Sequence, residues 1–246
     1  METETIKVIL NHRSIRKFKT GVSIPDEDLK LIMESAQRAP TDASLHLWSA
    51  IRITDREKRK EIAELIRQKH VEEAQEFFIF LADLYRNTAL MKHLKINRAK
   101  DDFVPLIFAA IDAALAADRM AIAAESLGYG ICFIGGVQDN PKEIIEILDL
   151  PERTYPLFGL IIGIPDESPS LRKRLPINYL IHENRYNDYS EKDLNFLLDY
   201  MADIGKNGFQ GLLAKYMSDK GKFSLRNEEF LNIIKQLGFD LELTSK

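Results

Sequence analysis

Apolar positions along the chain recur with two periods, and the changes between them mark the elements. Ile6, Ile9 and Leu10 fall at helical spacing. The run Asn11-His12-Arg13-Ser14-Ile15-Arg16 is too polar to extend that buried face, so the helix is expected to end there. A second helix is predicted after Ser23-Ile24-Pro25-Asp26, with Ser23 as its cap, Pro25 in the first turn and Leu29, Ile32, Met33 and Ala36 as the inward stripe; Pro40 closes it. Residues 48–53 read as a strand, and Asp55 caps a helix whose stripe is Ile62, Leu65 and Ile66.

Phe77-Phe78-Ile79-Phe80-Leu81 is short and continuously apolar, which predicts a strand covered on both faces and a sheet that forms a middle layer. Ile107, Phe108, Ile111 and Leu115, with many alanines between Ala109 and Ala124, define a helix on the order of 35 Å long at 1.5 Å per residue. Its small side chains allow other elements to approach closely. Gly128 and Gly130 end it, residues 131–134 form a strand, and Gly135-Gly136 breaks that strand. Asn140-Pro141 opens a helix carrying Ile144, Ile145 and Leu148, and residues 157–164 are a further buried strand closed by Pro165. The polar stretch 167–189 is a long loop of the kind that carries function or moves. Ser190-Glu191-Lys192-Asp193 reads as a capping box before an inward stripe of Leu194, Leu197, Leu198 and Met201; Lys206-Asn207-Gly208 reads as a solvated loop, and a last helix at about 227–237 ends near Gly238. Helices interleave with strands without repeats, which predicts one α+β domain over 1–246, a central sheet flanked by helices, with 190–246 as a helical C-terminal extension.

Composition narrows the function classes. With 34 Lys+Arg against 38 Asp+Glu the formal net charge is −4, so nucleic acid is not an expected partner. Hydrophobic residues at 45% and charged residues at 29% exclude disorder and collagen-like structure. The apolar stretch 103–127 is interrupted by Asp112, Asp118, Arg119 and Glu125, so no membrane span is expected. Cys132 stands alone, no intramolecular disulfide is possible, and METETIKVIL is too polar and short for a signal peptide; a reducing, cytoplasmic setting is the expectation. Five scattered histidines and no CxxC pair predict no metal site.

Familiar catalytic signatures are missing: no G-x-S-x-G, P-loop or H-E-x-x-H is present, and Gly128-Tyr129-Gly130 lacks a third glycine and follows a helix. What remains suits an anion. His12-Arg13-Ser14-Ile15-Arg16 concentrates two guanidiniums, a hydroxyl and an imidazole, and Arg172-Lys173-Arg174 adds three cations. Either cluster alone is ordinarily solvated surface; together they match a phosphate monoester, which carries about −1.5 to −2 charges at pH 7. On the residues alone, Ile134 is core, Gly135-Gly136 a turn, Thr41 a cap, Gln68 a surface residue, Cys132 an inert buried thiol and Trp48 a core anchor.

Blocks in order along nearly the whole chain resemble the nitroreductase family, in its larger NADPH nitroreductase and flavin reductase branch. They are Asn11-His12-Arg13-Ser14-Ile15-Arg16-Lys17-Phe18, Ala39-Pro40-Thr41, Gln68-Lys69-His70, Ala123-Ala124-Glu125-Ser126-Leu127-Gly128, Ile134-Gly135-Gly136, Pro156-Leu157-Phe158-Gly159-Leu160, Arg174-Leu175-Pro176 and His182-Glu183-Asn184. The resemblance implies an α+β fold with a central mixed β-sheet, an interwoven homodimer, and one FMN per subunit at the subunit interface. By position it implies that His12, Arg13, Ser14 and Arg16 contact FMN from phosphate to ring, with Arg13 at the pyrimidine edge. It further implies that Thr41 lies beside the flavin, Gln68 reaches it, Ile134, Gly135 and Gly136 run along the isoalloxazine, and Arg172 and Arg174 close on the phosphate. Leu45-His46 stands where relatives often carry a polar amide, and Asp203-Ile204-Gly205-Lys206-Asn207-Gly208-Phe209 stands where NADPH-preferring relatives carry an arginine, leaving Lys206 for a 2′-phosphate. The implied activity is ping-pong hydride transfer from NADPH or NADH to FMN, then two-electron reduction of nitroaromatics, quinones or flavins, with no catalytic side chain required. The alternatives are an NAD(P)H:FMN reductase supplying free reduced flavin, a flavin-binding protein without turnover, and a helical interaction protein.

Overall fold

Four strands, β1 (Trp48–Arg52), β2 (Glu76–Asp83), β3 (Gly130–Ile134) and β4 (Thr154–Gly163), hydrogen-bond in the order β1-β2-β4-β3. The computed structural model describes residues 2–241. All three strand pairings are antiparallel, so the sheet is not the mixed one expected; the parallel bridge Ser14–Ile131 stands outside the named strands. Every residue of β2 is buried, as its apolar run predicts. Its side chains enter opposite cores in alternation: Phe77, Ile79 and Leu81 on one side, Phe78 and Phe80 on the other. Gly159 on β4 makes room for Phe77, because a Cβ there would lie 2.7 Å from its ring. A bulge opposite Phe80 and Leu81 leaves the carbonyls of Pro156 and Leu157 to the side-chain amide of Gln138, which donates to them at 2.6 and 2.8 Å.

Helices α1 (Glu4–Leu10), α2 (Asp26–Gln37), α3 (Arg56–Leu65), α4 (His70–Glu73), α5 (Tyr85–His93), α6 (Phe103–Ser126) and α7 (Pro141–Ile147) precede or interleave with these strands. Ile62 and Ala63 of α3, Val71 of α4 and Ile144 of α7 fill one core; Leu29, Ile32 and Ala36 of α2 and the alanines of α6 fill the other. The sheet is therefore the middle of three layers. Asp55 caps α3 as expected, accepting from the amides of Glu57 and Lys58 at 2.9 and 3.1 Å. At α2 the expectation fails in detail. Pro25 occupies the N-cap and no side chain caps it, so Ser23 plays no such part; Asp26, Glu27 and Asp28 in the first turn complement the positive end of the helix dipole instead. Met33 is exposed, leaving Leu29, Ile32 and Ala36 as the buried stripe.

α6 has two apolar faces. Its small inner face, with Ala109, Ala113, Ala116, Ala117, Ala121 and Ala124, packs beneath the sheet. Phe103, Ile107, Ile111 and Leu115 lie four residues apart on an exposed face, and Ile6, Ile9 and Leu10 of α1, expected to be buried, are exposed as well. Gly128, at φ +86°, ends the helix where the Tyr129 amide turns back to the Ala124 carbonyl at 3.0 Å.

The chain divides into two compact units, Met1–Ser170 with Asn232–Lys246, and Leu171–Leu231. In the second, α8 (Glu191–Tyr200) begins with the expected capping box of Ser190 and Asp193, and Tyr179 donates to Asp193 at 3.0 Å while stacking on Phe196. Of the expected stripe only Met201 is buried; Leu194 and Leu198 are exposed. Directly after the 206–208 turn comes α9 (Gly208–Met217), a helix the sequence reading did not anticipate, and then α10 (Lys222–Gln236), which starts earlier than expected.

Within the first unit, Arg153 holds Asp102 at the start of α6 with two bonds of 2.7 Å and also donates to Gly238 O at 3.1 Å. Both side chains are buried. Burial alone would raise the Asp102 carboxyl, but the Arg153 bonds, the Asp240 amide and the Arg98 charge outweigh it and hold it below its ordinary range. A depressed carboxyl stabilises the fold above its unfolded pKa, and that contribution is lost as pH falls through the folded one. Asp102→Asn, which leaves Arg153 buried without its counter-charge, is expected to lose about 3–5 kcal/mol in urea unfolding at pH 7. The gap between wild type and variant should narrow as pH drops below about 3.9.

Candidate functional site

The basic segment lies against the β3 and β4 backbones. Ile15 N donates to Ile131 O at 2.8 Å and Lys19 N to Ile164 O at 2.9 Å, while Asp166 N returns a bond to Lys17 O at 2.9 Å. Two glycines permit the approach. A Cβ on Gly130 would lie 2.7 Å from Ile15, and one on Gly163 would lie 2.5 Å from Phe18. Glu167 completes the fastening: its Oε1 accepts from the amides of Arg16 at 2.5 Å and Lys17 at 3.0 Å.

Fixed in this way, the segment turns different side chains to different tasks. The Arg13 guanidinium donates to Asn11 O at 3.1 Å and Pro169 O at 3.2 Å, so its donors are engaged in holding the strap. His12 Nδ1 meets Glu125 Oε1 at 2.8 Å. The Cys132 thiol donates to Phe133 O at 3.5 Å; the Ser14 hydroxyl and the Arg16 charge both act to lower its pKa, and Arg16 acts on His70 as well. The Arg16 guanidinium itself makes no hydrogen bond or ion pair among the described residues. Burial pushes the Cys132 thiol up despite Arg16 and Ser14, which keeps it a thiol. Burial, aided by Arg16, pushes His70 down, and its Nε2 is enclosed without a partner among the described residues.

Two residues before His70, the Gln68 amide covers Gly136, where a Cβ would strike it. At Gly135 a Cβ would meet nothing within 4 Å, so its backbone borders open space. Ile134 is fully buried, one strand position pair beyond Cys132. Ser14, Arg16, Gln68, Ile134, Gly135 and Gly136 are thus assembled around the end of β3. Arg172 and Arg174 are exposed residues of the second unit, and Lys206 is exposed in the turn before α9.

Thr41 belongs to a different place. Its hydroxyl donates to Asp112 at 2.5 Å and accepts from His46 N at 2.9 Å. Asp112, 1% exposed in mid-α6, also accepts from Asp42 N and Leu47 N, each at 3.0 Å. This carboxylate holds a loop in which Ala43, Ser44 and His46 take φ of 45°, 59° and 50°, the left-handed region that non-glycine residues rarely adopt. The loop leads into β1, the edge strand opposite β3 and about 14 Å from it at 4.7–4.9 Å per strand. Sequence reasoning missed Asp112, Glu125 and Glu167 as organisers. The only signal was an acid within an otherwise apolar helix, and it served there merely to exclude a membrane span.

The nitroreductase family profile matches residues 9–164. The chain is 41% identical over 186 residues, 74% of each chain, to an FMN reductase (NADPH) of Bacillus subtilis. The NfrA1 nitroreductase structure from B. subtilis superposes with a TM-score of 0.86 at 33% identity, covering 96% of this chain and 99% of that one. The Vibrio harveyi NADPH:FMN oxidoreductase complexed with NAD+ gives 0.83 at 32% identity, covering 97% and 99%.

Asp112→Ala leaves the Asp42 and Leu47 amides without their acceptor. It is expected to cost about 1–3 kcal/mol for each group that stays buried. Hydrogen exchange at these two amides should accelerate at least about tenfold, with β2 amides unaffected.

Proposed function

The chain belongs to the nitroreductase family, and we propose that it is an FMN-dependent NADPH oxidoreductase acting on small organic acceptors such as nitroaromatics, quinones or free flavin. The observation that carries this reading is the assembly around the end of β3. An uncommitted Arg16 guanidinium suits a phosphate, bare backbone at Gly135 borders open space where a flat ring can approach, and the Gln68 amide both donates and accepts, as a pyrimidine-type edge requires. These residues fit FMN.

In this reading Arg16 and Ser14 bind the nucleotide, His12 faces its phosphate, and Arg13 contributes by fixing the strap at Pro169. Arg172, three residues beyond Pro169 in the chain, and Arg174 add charge at the phosphate. Gln68, Ile134, Gly135 and Gly136 orient the ring. FMN held by these residues would supply the hydride-accepting and two-electron redox chemistry. No side chain acts as nucleophile, and Lys206 is the cation we assign to the 2′-phosphate of NADPH.

The working unit in this proposal is a homodimer. A stripe of Phe103, Ile107, Ile111 and Leu115, together with Ile6, Ile9 and Leu10, leaves a large apolar surface of the kind that marks an association site. Thr41, at the opposite edge of the sheet from β3, then approaches the flavin of the other subunit. No helix among the described residues is long and apolar enough to cross a membrane, and the lone buried Cys132 fits a cytoplasmic setting.

Purified protein is expected to be yellow and to bleach anaerobically with NADPH; colourless protein without FMN affinity overturns the reading, and yellow protein that neither NADPH nor NADH bleaches leaves only flavin binding. Competing FMN against nitrofurazone as acceptors in steady state separates a flavin supplier from a nitroreductase. Arg16→Ala should weaken FMN binding to the apoprotein about 10- to 100-fold by flavin fluorescence titration. Lys206→Ala should raise KM for NADPH while leaving that for NADH unchanged.

A further inference from the structure

Glu125 occupies the last turn of α6, where the carbonyl end of the helix dipole disfavours a carboxylate. Its side chain is only 15% exposed, and burial raises its carboxyl, with Asp118 adding to the strain. A residue that is doubly unfavourable in its own helix calls for a compensating contact elsewhere. Here it accepts a hydrogen bond from the basic segment, from His12 Nδ1 at 2.8 Å, 113 residues away in the chain. That bond decides which corner of the imidazole is free. With Nδ1–H committed to the carboxylate, Nε2 is the nitrogen left for a ligand, on the far side of a ring that remains 33% exposed.

We propose that Glu125 is a positioning residue of the nucleotide site, holding His12 by Nδ1 so that His12 Nε2 is presented to the phosphate of FMN. The proposal rests on the FMN reading above. Glu125 touches no ligand; its effect passes through the ring it orients, as partners of metal-bound histidines act.

The test titrates FMN and riboflavin, which lacks the phosphate, into apoprotein of wild type, Glu125→Gln and Glu125→Ala, with ring ¹⁵N shifts of His12 recorded in each. The glutamine carbonyl can accept the His12 bond, so Glu125→Gln should bind FMN within about threefold of wild type, whereas Glu125→Ala should lose about tenfold or more. Riboflavin affinity should be the same in all three. The His12 ¹⁵N shifts should report an Nδ1–H donor in wild type and Glu125→Gln and lose that signature in Glu125→Ala. Equal losses for FMN and riboflavin, unchanged FMN affinity in Glu125→Ala, or no ¹⁵N difference between wild type and Glu125→Ala overturns the proposal. If Glu125→Ala does not fold, a tenfold FMN-specific loss in Glu125→Gln also overturns it, because orientation alone would then not suffice. Wild type that binds neither flavin refutes the FMN reading, and with it the phosphate role; the ¹⁵N comparison still decides whether Glu125 orients His12.

Discussion

The close backbone approach of residues 14–19 to β3 and to the chain beyond β4 governs the site. It depends on two positions, Gly130 and Gly163, where any side chain would collide with Ile15 or Phe18. Because the strap is fixed at both ends, its side chains have no freedom to search for partners. Arg13 is drawn to Pro169, His12 to Glu125 and Ser14 to Cys132, and Arg16 is left uncommitted. Arg16 is itself exposed, so its uncommitted guanidinium stays open to an anion arriving from solvent.

α6 presents a different face to the sheet and to solvent. Its alanine face lets the helix sit close beneath the sheet, and its other face carries bulky apolar side chains outward. Helical periodicity cannot tell these faces apart when both are apolar, since volume and not polarity separates them. The sequence therefore predicts the helix and its length well. It is silent on which face meets the sheet; α1 is a separate case, a single apolar stripe of Ile6, Ile9 and Leu10 that the described chain leaves exposed.

Elements whose signals are local were legible: the buried strand at 77–81, the Asp55 cap, the Ser190 capping box and the glycine stop after α6. The four strands all fell where apolar runs placed them, though their all-antiparallel pairing did not follow from those runs. α9 escaped because Lys206-Asn207-Gly208 reads as a turn and nothing nearby forces a helix to follow at once. At the site, His12, Arg13, Ser14 and Arg16 stand together in the sequence and could be singled out. Asp112, Glu125 and Glu167 could not, because their partners lie 70, 113 and 151 residues away. Arg16 beside Cys132 is the same case: a basic neighbour exists, but only in space.

Asp112 and Glu125 are thirteen residues apart on one uninterrupted helix, which spaces them about 20 Å at 1.5 Å per residue. Each must face its own loop, so the stretch between them has a fixed phase as well as a fixed length. One residue inserted or deleted there turns everything beyond it by about 100° and carries Glu125 away from His12 while Asp112 stays in place. Substitutions on the outer face leave that phase untouched. In evolutionary terms, only the outer face of residues 113–124 is free to drift in composition, while the whole stretch is closed to changes in length.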